Sequence, residues 1–307
     1  TCLYDTALDE LLEKLAEPVP PMGTLTLVPA LPPHYLPRPE DMDPVAETVL
    51  ADVQRPVVIT SAQQTSALVG MGGVGKSVLA AAFARMAETR RAFIHGVIWL
   101  TIGQNPSLFR AYTTVGTAFG DSTFHYSRQE DALPRLSKVL AEKNCLIVLD
   151  DVWNVADASP FRNALGPNSK LLVTTRDGRL VTALAATRLS LDVLTDEASL
   201  RLLSEWSDQK VVDLPTEAEM VAKECGNLPL ALAMTGAMVR GNPDRWENVL
   251  QRLRTADLEK IAQQFPDYPY PNLLRAIQVS FDALPPEMRT RYLDLAVFPE
   301  DTSIPEA

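Results

Sequence analysis

The stretch Gly70-Met71-Gly72-Gly73-Val74-Gly75-Lys76-Ser77 follows an apolar run ending at Val69 and precedes the Ala-rich run from Val78 to Ala87. It satisfies GxxxxGK[ST], and the pattern becomes specific when a strand feeds it and a helix leaves it. Glycines let the backbone curl so that successive N–H groups face an anion, and the N-terminal end of the next helix attracts negative charge. Gly70 through Gly75, with Val78, are therefore expected to cradle phosphates. Lys76 is expected to bridge β- and γ-phosphates, and Ser77 to ligate Mg²⁺.

A second element completes that chemistry. Leu146-Ile147-Val148-Leu149-Asp150-Asp151 is an apolar strand ending in two carboxylates, as a strand must be to deliver an Asp to the Mg²⁺ shell beside a P-loop. Asp150 is the expected Mg²⁺ partner. Asp151 is the candidate that polarises an attacking water, or a residue that caps the following turn, a common use of Asp. Being a methylene shorter than Glu, it predicts slow hydrolysis. Lys170 to Asp177 forms another buried strand with polar residues at its carboxyl end, where open α/β sheets bind ligands. There Arg176 can contact a γ-phosphate, or form an ordinary surface ion pair. The ligand these residues imply is ADP or ATP with Mg²⁺.

The surrounding chain reads as an α/β fold, a parallel sheet flanked by helices and followed by helical modules. Strands are expected at Val57 to Thr60, Ser66 to Val69, Val97 to Thr101, Leu146 to Leu149 and Leu171 to Thr174. They are short, rich in β-branched residues and nearly free of charge, as buried parallel strands are. Before them, Asp5 caps a short helix with Leu8, Leu11, Leu12 and Leu15 on one face, and prolines from Pro18 to Pro39 make a semi-rigid connector. A helix is predicted to start with Asp43 as N-cap and Pro44 in its first turn.

After about Thr195 strands give way to helices. Thr216 and Glu219 are expected to form a capping box on a helix ending at Gly226, and Asn242-Pro243 to open a helix carrying Trp246, Val249, Leu250 and Leu253. Tyr268 to Pro271 breaks the chain again. The expected division is an N-terminal helix and linker over 1–39, a nucleotide-binding domain over 40–194, a helical domain over 195–264 and the start of a third module over 265–307. No internal repeat is found.

With 307 residues and 46% hydrophobic content, the chain can bury one large core or several small ones. Its net charge of -11 opposes broad attraction to nucleic acid or an anionic membrane. Cys2, Cys145 and Cys225 are far apart, and with only His34, His95 and His125 beside them no zinc-like spacing can be drawn. No apolar run reaches the roughly 18 to 20 residues of a membrane span, and the N-terminus lacks a basic signal-peptide start, so a cytoplasmic protein is expected. The absence of an initiator Met reads as a piece of a longer protein.

Taken in order, these motifs resemble the NB-ARC or AP-ATPase family of STAND signal-transducing NTPases. That family includes plant disease-resistance proteins and apoptotic protease-activating factors. The resemblance runs from about Leu31 onward: GMGGVGKS, LIVLDDVW from Leu146, LLVTTRD from Leu171 and CGNLPLAL from Cys225. SFDALP from Ser280 and LAVFPED from Leu295 look like the family's winged-helix domain. The resemblance implies that Pro229 packs near the adenine, with Leu228 and Leu230 shaping the helical wall. It also implies that the upstream segment Leu36-Pro37-Arg38-Pro39-Glu40 holds the base through Leu36 and Arg38, although it departs from the family's glycine-arginine-glutamate form. The sequence stops ahead of the methionine-histidine-aspartate motif, so the ADP lock is not expected of this stretch.

The function expected is an ADP/ATP switch with slow Mg²⁺-dependent hydrolysis and nucleotide-controlled conformational change or self-association, acting with effector and sensor partners the sequence does not identify. The alternatives are a fast P-loop ATPase or kinase, for which no acceptor site is recognisable, and a nucleotide-responsive transcription regulator, which the acidic balance disfavours.

Overall fold

The computed structural model describes residues 21–51, 64–121, 129–255, 277, 281–282 and 284–294. Among these residues, six parallel strands form one sheet: β1 (Leu25–Thr26), β2 (Thr65–Val69), β3 (Gly96–Gly103), β4 (Cys145–Val152), β5 (Lys170–Thr175) and β6 (Thr187–Ser190). Their order is β1-β3-β4-β5-β2-β6. All residues of β2 and β5 are buried, as is most of β3 and β4, which is why these strands read as unbroken apolar runs.

Alternation along each strand divides the apolar side chains between two faces. Leu68, Val97, Trp99, Leu146, Val148 and Leu172 point to one face, and Ala67, Ile98, Leu100, Ile147, Leu149 and Val173 to the other. The first face is covered by α1 (Pro39–Leu50), α2 (Lys76–Arg85) and α3 (Ala87–Ala92). The second is covered by α4 (Leu108–Ala118), α5 (Gln129–Leu140), α6 (Val155–Ala164) and α7 (Arg179–Ala183). The α/β fold class expected of the sequence is therefore the one observed.

After β6 the regular elements among the described residues are helices: α8 (Asp196–Ser207), α9 (Thr216–Glu224), α10 (Pro229–Val239) and α11 (Trp246–Thr255), with α12 (Pro286–Asp294) further on. Helix α8 is capped by the Thr195 hydroxyl, which accepts from the Ala198 N–H at 3.2 Å. Trp246, Val249, Leu250 and Leu253 are all buried. Together with Leu203, Val221 and Leu232 they continue the core of the first sheet face without interruption.

Several expectations change. Helix α1 begins at Pro39, with Arg38 at its N-cap position, and Pro44 lies inside it. Pro44 costs only one amide donor, and the Glu40 carbonyl thereby left without its helical partner belongs to an exposed residue that water can satisfy. The Thr216–Glu219 capping box is absent: Pro215 holds the N-cap position, and no side chain caps the helix. Gly226 does take a left-handed φ of 62°, just past the helix end.

Two edge strands were not anticipated. Within the proline-rich connector, the interval between Pro21 and Pro29 has no proline, and there β1 pairs with β3, the Thr24 carbonyl accepting from the Val97 N–H at 2.8 Å. Strand β6 buries only Leu189, so it carries no apolar run to read. The predicted Leu8 to Leu15 helix, the Val57 to Thr60 strand, and the Ser280 and Leu295 to Asp301 motif residues lie outside the described residues.

Candidate functional site

Strand β2 delivers the chain into the P-loop at the carboxyl edge of the sheet, and α2 leaves it. Gly75 stands immediately before the helix with φ 102°, a conformation that a side chain would strain. The Lys76 ammonium donates to the Gly70 and Met71 carbonyls at 2.8 and 2.9 Å. An ammonium has three hydrogens, so a further one is left for an anion held by the loop. Burial, and secondarily the charge of Arg176, lowers the Lys76 pKa to about 8, against the opposing pull of Asp151 and Asp150.

Because β5 lies between β2 and β4, the ends of three strands converge here. The Ser77 hydroxyl donates to Asp150 Oδ1 at 2.7 Å, and the Thr174 hydroxyl donates to the same oxygen at 2.6 Å. Thr174 Oγ1 also accepts the Asp151 N–H at 2.9 Å. Burial raises the Asp150 pKa, and the hydrogen bonds from Thr174 and Ser77 oppose that rise.

Asp151 adopts φ 53°, a region disfavoured for residues other than glycine and costing of order 1–3 kcal/mol. Its Oδ2 accepts the Trp153 indole N–H at 2.9 Å, and its Oδ1 lies 3.6 Å from Arg176 Nε. The Arg176 guanidinium stands over the Trp153 ring, 5.0 Å from its centroid.

Beside these groups opens a cavity of about 780 Å³. Gly72 to Val78, Asp150, Asp151 and Arg176 line its polar end. Leu36 and Arg38 approach from upstream, and Pro229 with Leu230 from α10. Arg38 donates to the Val74 carbonyl at 3.1 Å and the Asp192 carbonyl at 2.8 Å, and pairs with Asp41 at 2.5 Å. The Leu230 N–H donates to the Gly73 carbonyl at 3.2 Å. Three expected residues do not line the cavity: Gly70 and Met71 serve it through the carbonyls that hold Lys76, and Leu228, 1% exposed, belongs to the core.

Sequence reasoning missed Thr174, Trp153, His34 and Trp206. His34 and Trp206 line the cavity, their rings 5.2 Å apart, and Arg240 Nη2 lies 2.7 Å from His34 Nε2. The one available signal was the Thr-Thr pair ahead of Arg176. Nothing local marks His34, whose partners lie far along the chain.

The donor set fits a magnesium nucleotide. The cavity falls within the roughly 300–1,000 Å³ of small-molecule sites and joins a curled glycine backbone to apolar walls. Ser77 and Asp150 place two hard oxygens together, and Mg²⁺ commonly takes its other ligands from water and phosphate. No cluster of three or more His, Cys, Asp or Glu that could hold a metal occurs among the described residues. No helix among them is long and apolar enough to cross a membrane.

Fold and site define a P-loop NTPase of the α/β class. The NB-ARC domain matches residues 47–213, and the chain belongs to the NB-ARC family. It is 31% identical over 248 residues to apoptotic protease-activating factor 1 of Rattus norvegicus, covering 77% of this chain and 20% of that protein. A probable disease resistance protein of Arabidopsis thaliana is 31% identical over 252 residues, covering 77% of this chain and 28% of that one. The chain thus spans between a fifth and three tenths of these relatives' length. Among solved structures, a STAND signal-transduction ATPase with a tetratricopeptide repeat sensor from Pyrococcus horikoshii superposes with TM-score 0.49 at 15% identity, covering 82% of this chain and 40% of that one.

Proposed function

We propose that this chain binds ADP or ATP with Mg²⁺ and uses the nucleotide as a conformational switch, hydrolysing ATP slowly. The observation that carries the reading is the composition of the cavity wall: P-loop, upstream strap and helix α10 meet around one space, and α10 touches the P-loop directly through Leu230 and Gly73. A ligand shifts a conformational equilibrium only by its different affinity for the two states. Here the γ-phosphate would supply that difference through Lys76 and Arg176.

In this reading Gly72 to Val78 hold the phosphates, and Ser77 and Asp150 hold the metal, whose charge would offset the polyphosphate. Leu36, Arg38 and Pro229 face the base. Segment 40–194 carries the phosphate site and segment 195–264 the moving wall, following the N-terminal helix and proline-rich linker of 1–39 and preceding the third module of 265–307. The protein would act in the cytoplasm and self-associate through the nucleotide-binding segment, with effector and sensor partners. A fast ATPase would need a base free to meet water, whereas both Asp151 oxygens already face donors.

The test is to denature the purified protein, identify released nucleotide by chromatography, and follow turnover in the same preparation. Retained ADP with turnover far below about 10 per second supports the switch. An empty site with rapid turnover favours an ordinary ATPase. Lys76→Ala should abolish retention, and nucleotide bound equally well without Lys76 would remove the phosphate-site assignment.

A further inference from the structure

Trp153 is one residue past β4, 37% exposed, and has no part in the phosphate site as read from its motifs. An exposed indole need not do anything. This one, however, holds two charged groups by two different properties. Its N–H donates to Asp151 Oδ2 at 2.9 Å, while its π face carries the Arg176 guanidinium at 5.0 Å. The two held groups are 3.6 Å apart at Asp151 Oδ1 and Arg176 Nε, and both line the cavity beside Lys76.

The hold on Asp151 acts against a backbone that is already strained, since Asp151 sits at φ 53° with its N–H fixed on Thr174. With the main chain pinned, the direction of the carboxylate is set by what its oxygens meet. A hydrogen bond to a charged group generally outweighs a cation–π contact at a partly exposed site. The indole N–H is thus the stronger of the two holds.

We infer that Trp153 is a positioning residue that parks Asp151 and Arg176 against one another, so that nucleotide turnover requires both to be released from the indole. This rests on the nucleotide site proposed above. Asp151 parked in this way presents no oxygen to a water beside the γ-phosphate. Arg176 parked in this way is neutralised locally and must leave the ring to meet an added phosphate. An ATP-like ligand should therefore disturb the indole, and ADP should not.

The two holds can be removed separately. Trp153→Phe keeps a ring under Arg176 but has no N–H, whereas Trp153→Ala removes both. For Trp153→Phe we expect turnover to rise about tenfold, the factor equivalent to 1.4 kcal/mol, with KM changed less than about twofold. Trp153→Ala should in addition change the preference for a non-hydrolysable ATP analogue over ADP. The chain has four tryptophans, so the difference in emission between parent and Trp153→Phe isolates this one. That difference should change on adding the ATP analogue and stay constant on adding ADP.

ADP titration of parent and both variants separates the failures. Equal ADP affinity shows that the variants are folded and the nucleotide site stands. If ADP binds and Trp153→Phe turns over no faster than the parent, or the difference emission ignores the ATP analogue, the parking role is wrong while the nucleotide reading survives. A parent that binds no nucleotide overturns both.

Discussion

The Leu230 N–H donates to the Gly73 carbonyl at 3.2 Å, which ties the first turn of α10 to the crest of the P-loop. The first N–H groups of a helix have no partner within it, and Pro229 at the helix start removes one of them from the accounting. Leu230 spends the next donor on the loop instead of on water. Any displacement of Gly73 would therefore bear directly on α10, which bounds the same cavity.

The Lys76 pKa of about 8 sets a pH window for binding. Phosphate prefers the ammonium form, so ADP affinity should be flat well below that value and fall as pH rises through it. Titration calorimetry on either side of pH 8 checks this, and an affinity that stays constant through that range would remove Lys76 from phosphate binding. Fold stability should move the opposite way. The folded value lies below the ordinary 10.5, so the unfolded chain binds more protons between the two, and this group's contribution to stability rises across that window.

Thr174→Val should destabilise the protein by about 1–3 kcal/mol, because the Asp151 N–H loses its acceptor. It should also raise the Mg²⁺ concentration needed for nucleotide binding, since Asp150 loses one of the two hydroxyls orienting its Oδ1. Thr174→Ser keeps the hydroxyl and should restore both. Thermal denaturation and a Mg²⁺ titration read the two effects.

A Cβ at Gly236 would come 2.7 Å from Trp206 Cβ, between α8 and α10. Overpacking costs about 1–3 kcal/mol, which outweighs the helix-propensity gain of roughly 0.8–1 kcal/mol on replacing glycine. Gly236→Ala should therefore lower the melting temperature. It should also weaken ADP binding, although Gly236 does not line the cavity, because Trp206 does.

Arg38 spans two carbonyls from different segments, Val74 and Asp192. Arg38→Ala should weaken ADP binding by loosening the upstream strap while leaving the Lys76 hydrogen bonds in place. Arg38→Lys should not rescue it, because a single ammonium lacks the rigid fork that reaches both acceptors. Comparing ADP affinities of the three proteins decides the matter.

Gly70 to Ser77 and the run from Leu146 to Asp151 were legible because their chemistry is local: glycines for the curl, a buried parallel strand for the apolar run, a carboxylate at its end. The same holds for the buried strands and for the helix carrying Trp246. Helix α1 starts at Pro39 rather than at Asp43-Pro44, which is also a good helix opening, because Arg38's distant partners favour the earlier start. Strand β6 went unseen because an edge strand burying one residue leaves no apolar pattern.

Residue types and spacing thus determined the α/β class, the phosphate loop and the carboxylate strand end, since each follows from backbone conformation and burial within a few consecutive residues. Tertiary structure alone decided that Thr174 orients Asp150, that Trp153 holds Asp151 and Arg176, and that His34 meets Trp206 at the cavity wall. Those contacts depend on the order of strands in the sheet and on where helices after β6 return, and hydrogen bonds between distant segments leave no periodic trace in a sequence.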